Sequence, residues 1–256
     1  MAKEPRDESG RPYHIKLNRK EVGRVALLPG DPGRVPRIAE GLERPKELSS
    51  NREFTAYGGY IGAERVIVMS TGIGGPAAAI AVEELARIGV RVMIRVGTCG
   101  SITSRVKVGE VIVADAAVRM DGTSTQYIHL GYPAAATPGV VLALQDEANS
   151  IKQNFSVGIT ASTDSFYAGQ GRASFGGYFP SDKVHLLEDL RAANVLCFEM
   201  EAATLFTLGR IFGLKTGAVF GVVGSRTTDE FKPGAGIAAA IEIAIGAVRK
   251  LKKYGV

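Results

Sequence analysis

Residues 66–97 read VIVMSTGIGGPAAAIAVEELARIGVRVMIRVG, and this stretch sets the fold class. An apolar run ends at Ser70 and a glycine loop follows. Residues 77–89 then carry apolar positions at helical spacing, with Gly89 just past the helix end, before a second apolar run begins at Val90. Strand, loop, helix and strand make the crossover unit of an α/β protein. The flanking runs are apolar almost throughout, as strands covered on both faces are.

The same alternation continues outward. RVALLPG (24–30) reads as a strand ending in a turn, and GDPGRVPRIAEGL continues into a short helix. REFTAYGGYIGAERVIVMS (52–70) reads as two strands around a glycine turn, and GEVIVADAAVRM (109–120) as one more. TPGVVLALQDEANSI (137–151) opens with Thr137 as N-cap and Pro138 in the first helical position. FSVGITAST (155–163) is a strand, and 164–182 is a long loop rich in Gly, Ser and aromatics. KVHLLEDLRAA, AATLFTLGRIFG and GIAAAIEIAIGAVRKLKK read as helices, with NVLCFEME and KTGAVFGVVGS as strands between them. The pattern predicts a central, largely parallel sheet covered on both faces, in one domain over residues 1–256 that begins with a polar tail at 1–12.

The chain of 256 residues has a formal net charge of +5, but the surplus is terminal. Residues 1–24 hold seven basic and four acidic side chains, and 249–256 hold four basic ones and no acid. The remaining 224 residues are therefore net −2, with no stripe of Lys and Arg and no Trp, which argues against a nucleic-acid partner. No apolar run reaches the ~18 residues of a membrane span. The N-terminus carries no apolar signal region, so a cytoplasmic protein is expected. Cys99 and Cys197 are too few for a disulfide framework, and His14, His129 and His185 are too scattered for a metal site. There is no HExxH, no GxSxG, no P-loop, and no GxGxxG after the first strand.

Ligands of such sheets bind beyond the carboxyl ends of the strands, so the loops there carry the chemistry. Gly30-Asp31-Pro32-Gly33-Arg34 places a Cβ-free residue and an arginine at a strand-to-helix turn, where N–H groups and a helix N-terminus suit an anion. Arg95 stands in an apolar strand and needs either a bound anion or an acid such as Glu83 or Glu84. Glu199 and Glu201, two residues apart, either hold vicinal hydroxyls or furnish the acids favoured at a helix N-terminus. Phe166, Gln170 and Arg172 combine a stacking face, an amide and a guanidinium, which together suit a planar heterocycle. Arg226 lies in a Thr-rich loop, either as a lid residue or as a surface charge.

Taken in order, LPGDPGRV (28–35), SNREFT (50–55), STGIGGPAAAIAVEEL (70–85), RVGTCG (95–100), TASTDSFYAGQGR (160–172) and EMEAATL (199–205) resemble the nucleoside phosphorylases. The likeness runs from about His14 to the last helix and is greatest to those acting on uridine. It implies a three-layer α/β sandwich around a mixed, distorted sheet, assembled as dimers, usually three to a hexamer. It implies phosphate binding by Gly30, Arg34, Arg95 and Thr98, with Arg52 reaching in from a neighbouring subunit. Thr98, Met200 and Glu201 would hold the ribose, with His14 of the neighbour at the 5′ hydroxyl. Phe166, Gln170 and Arg172 would take the base, with Arg226 closing over it, so Arg172, Gln170, Glu201 and Arg226 carry the catalysis. No cofactor is implied beyond phosphate as co-substrate. Glu53 and Ile73 match a monovalent-cation site of some relatives, but Ala77 stands where a Ser hydroxyl is expected. Cys99, Gly171 and Ser225 also depart from the usual pattern.

Overall fold

The structure, a computed structural model, describes residues 4–256; the first three residues of the expected polar tail lie outside the described residues. Ten strands and six α-helices alternate along the chain. They are β1 (Val25–Leu28), α1 (Arg34–Ala39), β2 (Glu43–Asn51), β3 (Phe54–Ile61), β4 (Glu64–Met69), α2 (Gly75–Arg87), β5 (Val92–Ser101) and β6 (Val111–Met120). Then come β7 (Ala134–Ala135), α3 (Pro138–Ser150), β8 (Phe155–Thr163), α4 (Leu186–Ala192), β9 (Cys197–Glu199), α5 (Ala202–Ile211), β10 (Lys215–Ser225) and α6 (Ile237–Lys250).

The strands form one sheet in the order β10-β6-β8-β9-β5-β1-β4-β3-β2, with β7 beside β6, and β10 returns to pair with β5. Five strands therefore close on themselves, and β1, β4, β3 and β2 extend from β5 as a wing. The sheet is mixed, which corrects the largely parallel sheet read from the alternation of elements. β1 pairs in parallel with β4 and β5, β10 with β5, and β8 with β6 and β9. The pairs β2–β3, β3–β4, β5–β9, β6–β7 and β6–β10 are antiparallel. The β3–β4 pair follows from its short turn at Gly62, which has φ +59 and cannot span a crossover. β2 was not foreseen: it is polar and largely exposed, an edge strand with two register shifts and no apolar alternation.

Helices cover both faces, as expected for three layers. Consecutive residues of a strand point to opposite sides, and β10 demonstrates it. Thr216 lies against Gly209 of α5, while a Cβ on Gly217 would meet Val140 Cγ1 of α3 at 2.4 Å. α2 packs with α5 on one side, and α3 with α6 on the other. Thr137 does not cap α3 with its side chain; its Oγ1 accepts the Thr216 N–H at 3.0 Å and ties the helix start to β10. The Gly217→Ala variant should lose about 1–3 kcal/mol by overpacking. Urea unfolding reads the loss, and wild-type stability would show that α3 can move away from β10.

What positions the site is a split along β5. β1 pairs with this strand over Val92–Arg95, and β9 takes over the same edge only at Gly100 and Ser101. Residues 96–99 are left between the two diverging partners. The Val96 carbonyl is taken instead by Arg34, whose Nη1 donates to it at 3.1 Å.

Candidate active site

A cavity of about 640 Å³ opens at this split. Its walls come from the β1–α1 turn, the β4–α2 loop, the end of β5, the β8–α4 loop, the β9–α5 junction and the end of β10. All are carboxyl ends of strands, where divergence leaves room for a ligand. The structure brings Gly30, Arg34, Thr98 and Arg95 together here with Met200, Glu201, Phe166, Gln170 and Arg172. Glu53 and Ile73 line the same cavity.

One end is built for an anion. Arg34 and Arg95 are both buried, at 9% and 6% exposure. Burial, and then the neighbouring Arg95 charge, push the Arg34 guanidinium below its ordinary value. A bound anion would relieve both penalties. Gly30 sits against them: a Cβ there would come within 3.7 Å of Arg95 Nη1 and 3.1 Å of the Gly72 carbonyl. The turn's own N–H groups contribute less than expected, because Asp31 Oδ1 accepts the Gly33 N–H at 2.8 Å.

Arg95 pairs with neither Glu83 nor Glu84. Its Nη2 pairs with Glu201, and its Nε lies 3.6 Å from Glu199 Oε2. That Nε is buried and has no hydrogen-bond partner among the described residues. Glu201 Oε1 also accepts the Gly74 N–H at 2.7 Å, which fixes the carboxylate against the glycine loop. Gly74 has φ +91, a conformation that favours glycine.

The two glutamates divide the roles considered for them. Glu199 Oε2 accepts the N–H groups of Glu201 and Ala202, both at 2.8 Å, and its other oxygen accepts from Ser162 Oγ. Ser162 Oγ in turn accepts the Ala203 N–H at 2.8 Å. Glu199 therefore caps α5 with both its oxygens, whereas Glu201 pairs with Arg95 and the glycine loop; both line the cavity. Burial raises the Glu199 pKa, and the Arg95 charge is the largest influence opposing the rise.

The other end suits a flat polar ring. Arg172 lies 4.4 Å above the Phe166 ring centroid, and its Nη1 donates to the Phe166 carbonyl at 2.8 Å and to Gln170 Oε1 at 2.9 Å. Gln170 is buried and donates to Thr163 Oγ1 at 3.3 Å, so its amide orientation is set by partners on both sides. Phe166 is 46% exposed, with Arg172 over one face of its ring and Tyr167 edge-on against it.

Three expected residues lie elsewhere. His14 Nδ1 is 2.7 Å from Glu84 Oε1, in a separate groove with Glu83 and Tyr127. Arg52 is exposed, with its guanidinium 5.8 Å from the Tyr13 ring centroid. Neither lines this chain's own cavity. Arg226 does not line it either; its Nη2 donates to the Gly171 carbonyl at 2.9 Å and holds the β10 loop to the β8–α4 loop. Conversely, Phe231 lines the cavity although the sequence does not mark it. Phe231 reaches it by a bridge to Gly224, a long-range contact with no local signal. No group of three or more His, Cys, Asp or Glu could hold a metal ion among the described residues. Cys99 is buried and free, and burial raises its thiol pKa well above the ordinary value.

A mixed sheet split over a cavity with two buried guanidiniums at one end and an aromatic ring, an amide and a guanidinium at the other suits an enzyme that cleaves a nucleoside with phosphate. The chain belongs to the phosphorylase superfamily, whose family model matches residues 24–251. It is similar to the uridine phosphorylase of Thermococcus kodakarensis, 47% identical over 253 residues that cover 99% of this chain and 91% of that protein. The uridine phosphorylase of Haemophilus influenzae is 41% identical, covering 92% and 95%. A guanosine phosphorylase of Halorubrum lacusprofundi is 36% identical, covering 88% and 85%.

Proposed function

We propose that the protein is a uridine phosphorylase, a pentosyltransferase that cleaves uridine with phosphate to uracil and ribose 1-phosphate. The observation that carries this reading is one cavity with Arg34 and Arg95 at one end, Glu201 between, and Gln170 with Arg172 at the other. In the forward reaction a phosphate oxygen bonds to C1′ as the C1′–N1 bond breaks, and the bonding pair leaves with the base. The sugar passes through an oxocarbenium-like state, and negative charge develops on uracil.

Each subsite has a task in that step. Arg34, Arg95, Thr98 and the open face of Gly30 strip phosphate of water and hold it below the sugar, a task suited to forked guanidinium donors. Glu201 binds the 2′ and 3′ hydroxyls beside Met200 and places its negative charge near the cationic sugar. Phe166 stacks on the ring, while Arg172 and Gln170 donate to its carbonyls and stabilise the departing anion. Positioning and electrostatics supply the rate, with no covalent nucleophile and no cofactor. Phosphate is the co-substrate, and a monovalent cation near Glu53 and Ile73 is a separate possibility open to assay by potassium dependence.

His14 and Arg52 fit the same scheme in a homo-oligomer, a hexamer built of dimers, where a neighbour's His14 meets the 5′ hydroxyl and its Arg52 the phosphate. Their position away from this chain's own cavity supports that reading. We read the whole chain as one catalytic domain working in the cytoplasm in nucleoside salvage; no helix among the described residues is long and apolar enough to cross a membrane.

The guanosine phosphorylase relative raises a purine substrate as the second reading. A purine enzyme of this fold would place an acid at N7, but Asp229 is exposed and does not line the cavity. Incubation with uridine, with and without phosphate, tests the proposal. Uracil release is expected only with phosphate; release that ignores phosphate overturns phosphorolysis, and faster cleavage of guanosine or inosine overturns the pyrimidine assignment.

A further inference from the structure

Arg191 lies in α4, outside the cavity and half-buried. Its Nε donates to the Ile102 carbonyl at 2.6 Å, just past the end of β5, and its Nη2 donates to the Arg226 carbonyl at 3.2 Å. Arg226 is held from its other side as well, since its N–H donates to the Ser101 carbonyl at 2.8 Å. Its guanidinium then reaches the Gly171 carbonyl. Gly171 stands between Gln170 and Arg172 with φ +70, and a Cβ there would meet Leu187 Cδ1 of α4 at 2.5 Å. α4 therefore touches the base-binding loop directly through Leu187 and indirectly through Arg191 and Arg226.

We propose that Arg191 is a positioning residue for base recognition, acting through Arg226 to fix the loop that presents Gln170 and Arg172. The inference rests on the uridine phosphorylase reading above. A planar fork suits the task, because one rigid guanidinium can serve two carbonyls on different segments, whereas a lysine ammonium on a flexible stem holds them less firmly. Its placement also has an electrostatic consequence. Arg191 depresses the Arg226 pKa, and Arg226 depresses that of Arg172, although burial is the larger cause for each. The contacts run from Arg191 through Arg226 to Gly171, next to Arg172, which alone of the three arginines lines the cavity where the leaving base gains negative charge. The exposed Asp229 is the acid that partly offsets Arg226. A tie needed only for stability would be complete with the Ile102 bond; the second bond, to Arg226, is the one that leads to the site.

The test compares Arg191→Ala, Arg191→Lys, Arg226→Ala and the Arg191→Ala/Arg226→Ala pair. In Arg191→Ala, kcat/KM for uridine should fall about tenfold, as expected for misplaced groups, while KM for phosphate stays within about twofold. Arg191→Lys should recover part of the loss with a wild-type Tm. The double variant should be no slower than Arg226→Ala alone, since one residue acts through the other. Losses that multiply in the double variant, an unchanged kcat/KM for uridine, or an equal rise in KM for phosphate overturn the inference. A wild-type protein that leaves uridine intact overturns the functional reading instead, before any variant is compared.

Discussion

The Arg95→Met variant is expected to lose phosphorolysis by about a thousandfold and to be less stable by about 3–5 kcal/mol, the cost of removing one partner of a buried ion pair. Arg95 is one of two buried guanidiniums at the anion end, and it is also the cation that neutralises Glu201. Methionine fills similar space without a charge, so Glu201 and Glu199 would remain buried together without the ion-pair partner they share, leaving only the more remote Arg34 charge. The sign of the pH dependence follows. Burial already raises Glu199 and Arg95 opposes that rise, so the variant should hold its proton to higher pH. A carboxyl with a raised folded-state pKa costs stability above its unfolded value of about 4.5. The deficit of Arg95→Met should therefore shrink as pH falls toward that value. Adding Glu201→Gln should recover much of the stability at neutral pH and none of the activity. Urea unfolding between pH 5 and 8 and a phosphorolysis assay read the two effects apart. Activity that survives in Arg95→Met would remove this residue from the phosphate subsite.

Arg172→Ala is expected to separate the two ends of the cavity. Loss of an oxyanion-type donor costs about 10²–10³ in kcat, or about 2.7–4 kcal/mol of transition-state stabilisation. Here the loss also frees Gln170 Oε1, which accepts from Arg172, and uncovers the Phe166 ring. Uridine cleavage should fall by that amount while phosphate still raises the Tm, because no phosphate-end residue touches Arg172. Stability should change little, since this side chain is only half-buried. Substrates with a better leaving base, such as 5-fluorouridine, should lose less, because their anion needs less help. If phosphate protection disappears with Arg172, that residue belongs to the other subsite.

The glutamate pair illustrates where the sequence was ambiguous. Glu199 and Glu201 stand two apart, and both the diol reading and the helix-cap reading fit that spacing. The structure gives one role to each, because β9 ends at Glu199 and the chain turns into α5. Glu199 then points back at the first N–H groups of the helix, while Glu201 faces Arg95 across the split. Likewise, the sequence offers Arg95 the acids of α2, yet Glu84 is occupied by His14, 70 residues away. Partners so distant leave no trace in local spacing.

β2 and Phe231 escaped for related reasons. β2 is specified by its pairing with β3, not by its own apolar pattern, and it lies at an edge where charge is favoured. Phe231 lies in a stretch of charge and threonine, and only the bridge to Gly224 brings its ring to the cavity wall.

The sequence by itself determined the alternation of strands and helices, the loops that carry the chemistry, and the residues Gly30, Arg34, Arg95, Gln170, Arg172 and Glu201 that meet in one cavity. Apolar periodicity, glycine turns and long collinear motifs are local properties, and a chain displays them without folding. Only the tertiary structure decided that the sheet is mixed and closes on itself, and that β1 and β9 part from β5 to open the cavity. It also decided which carboxylate caps a helix and which pairs with Arg95. Those outcomes depend on pairings between residues far apart in the chain, fixed by the competition of whole strands and buried charges for partners.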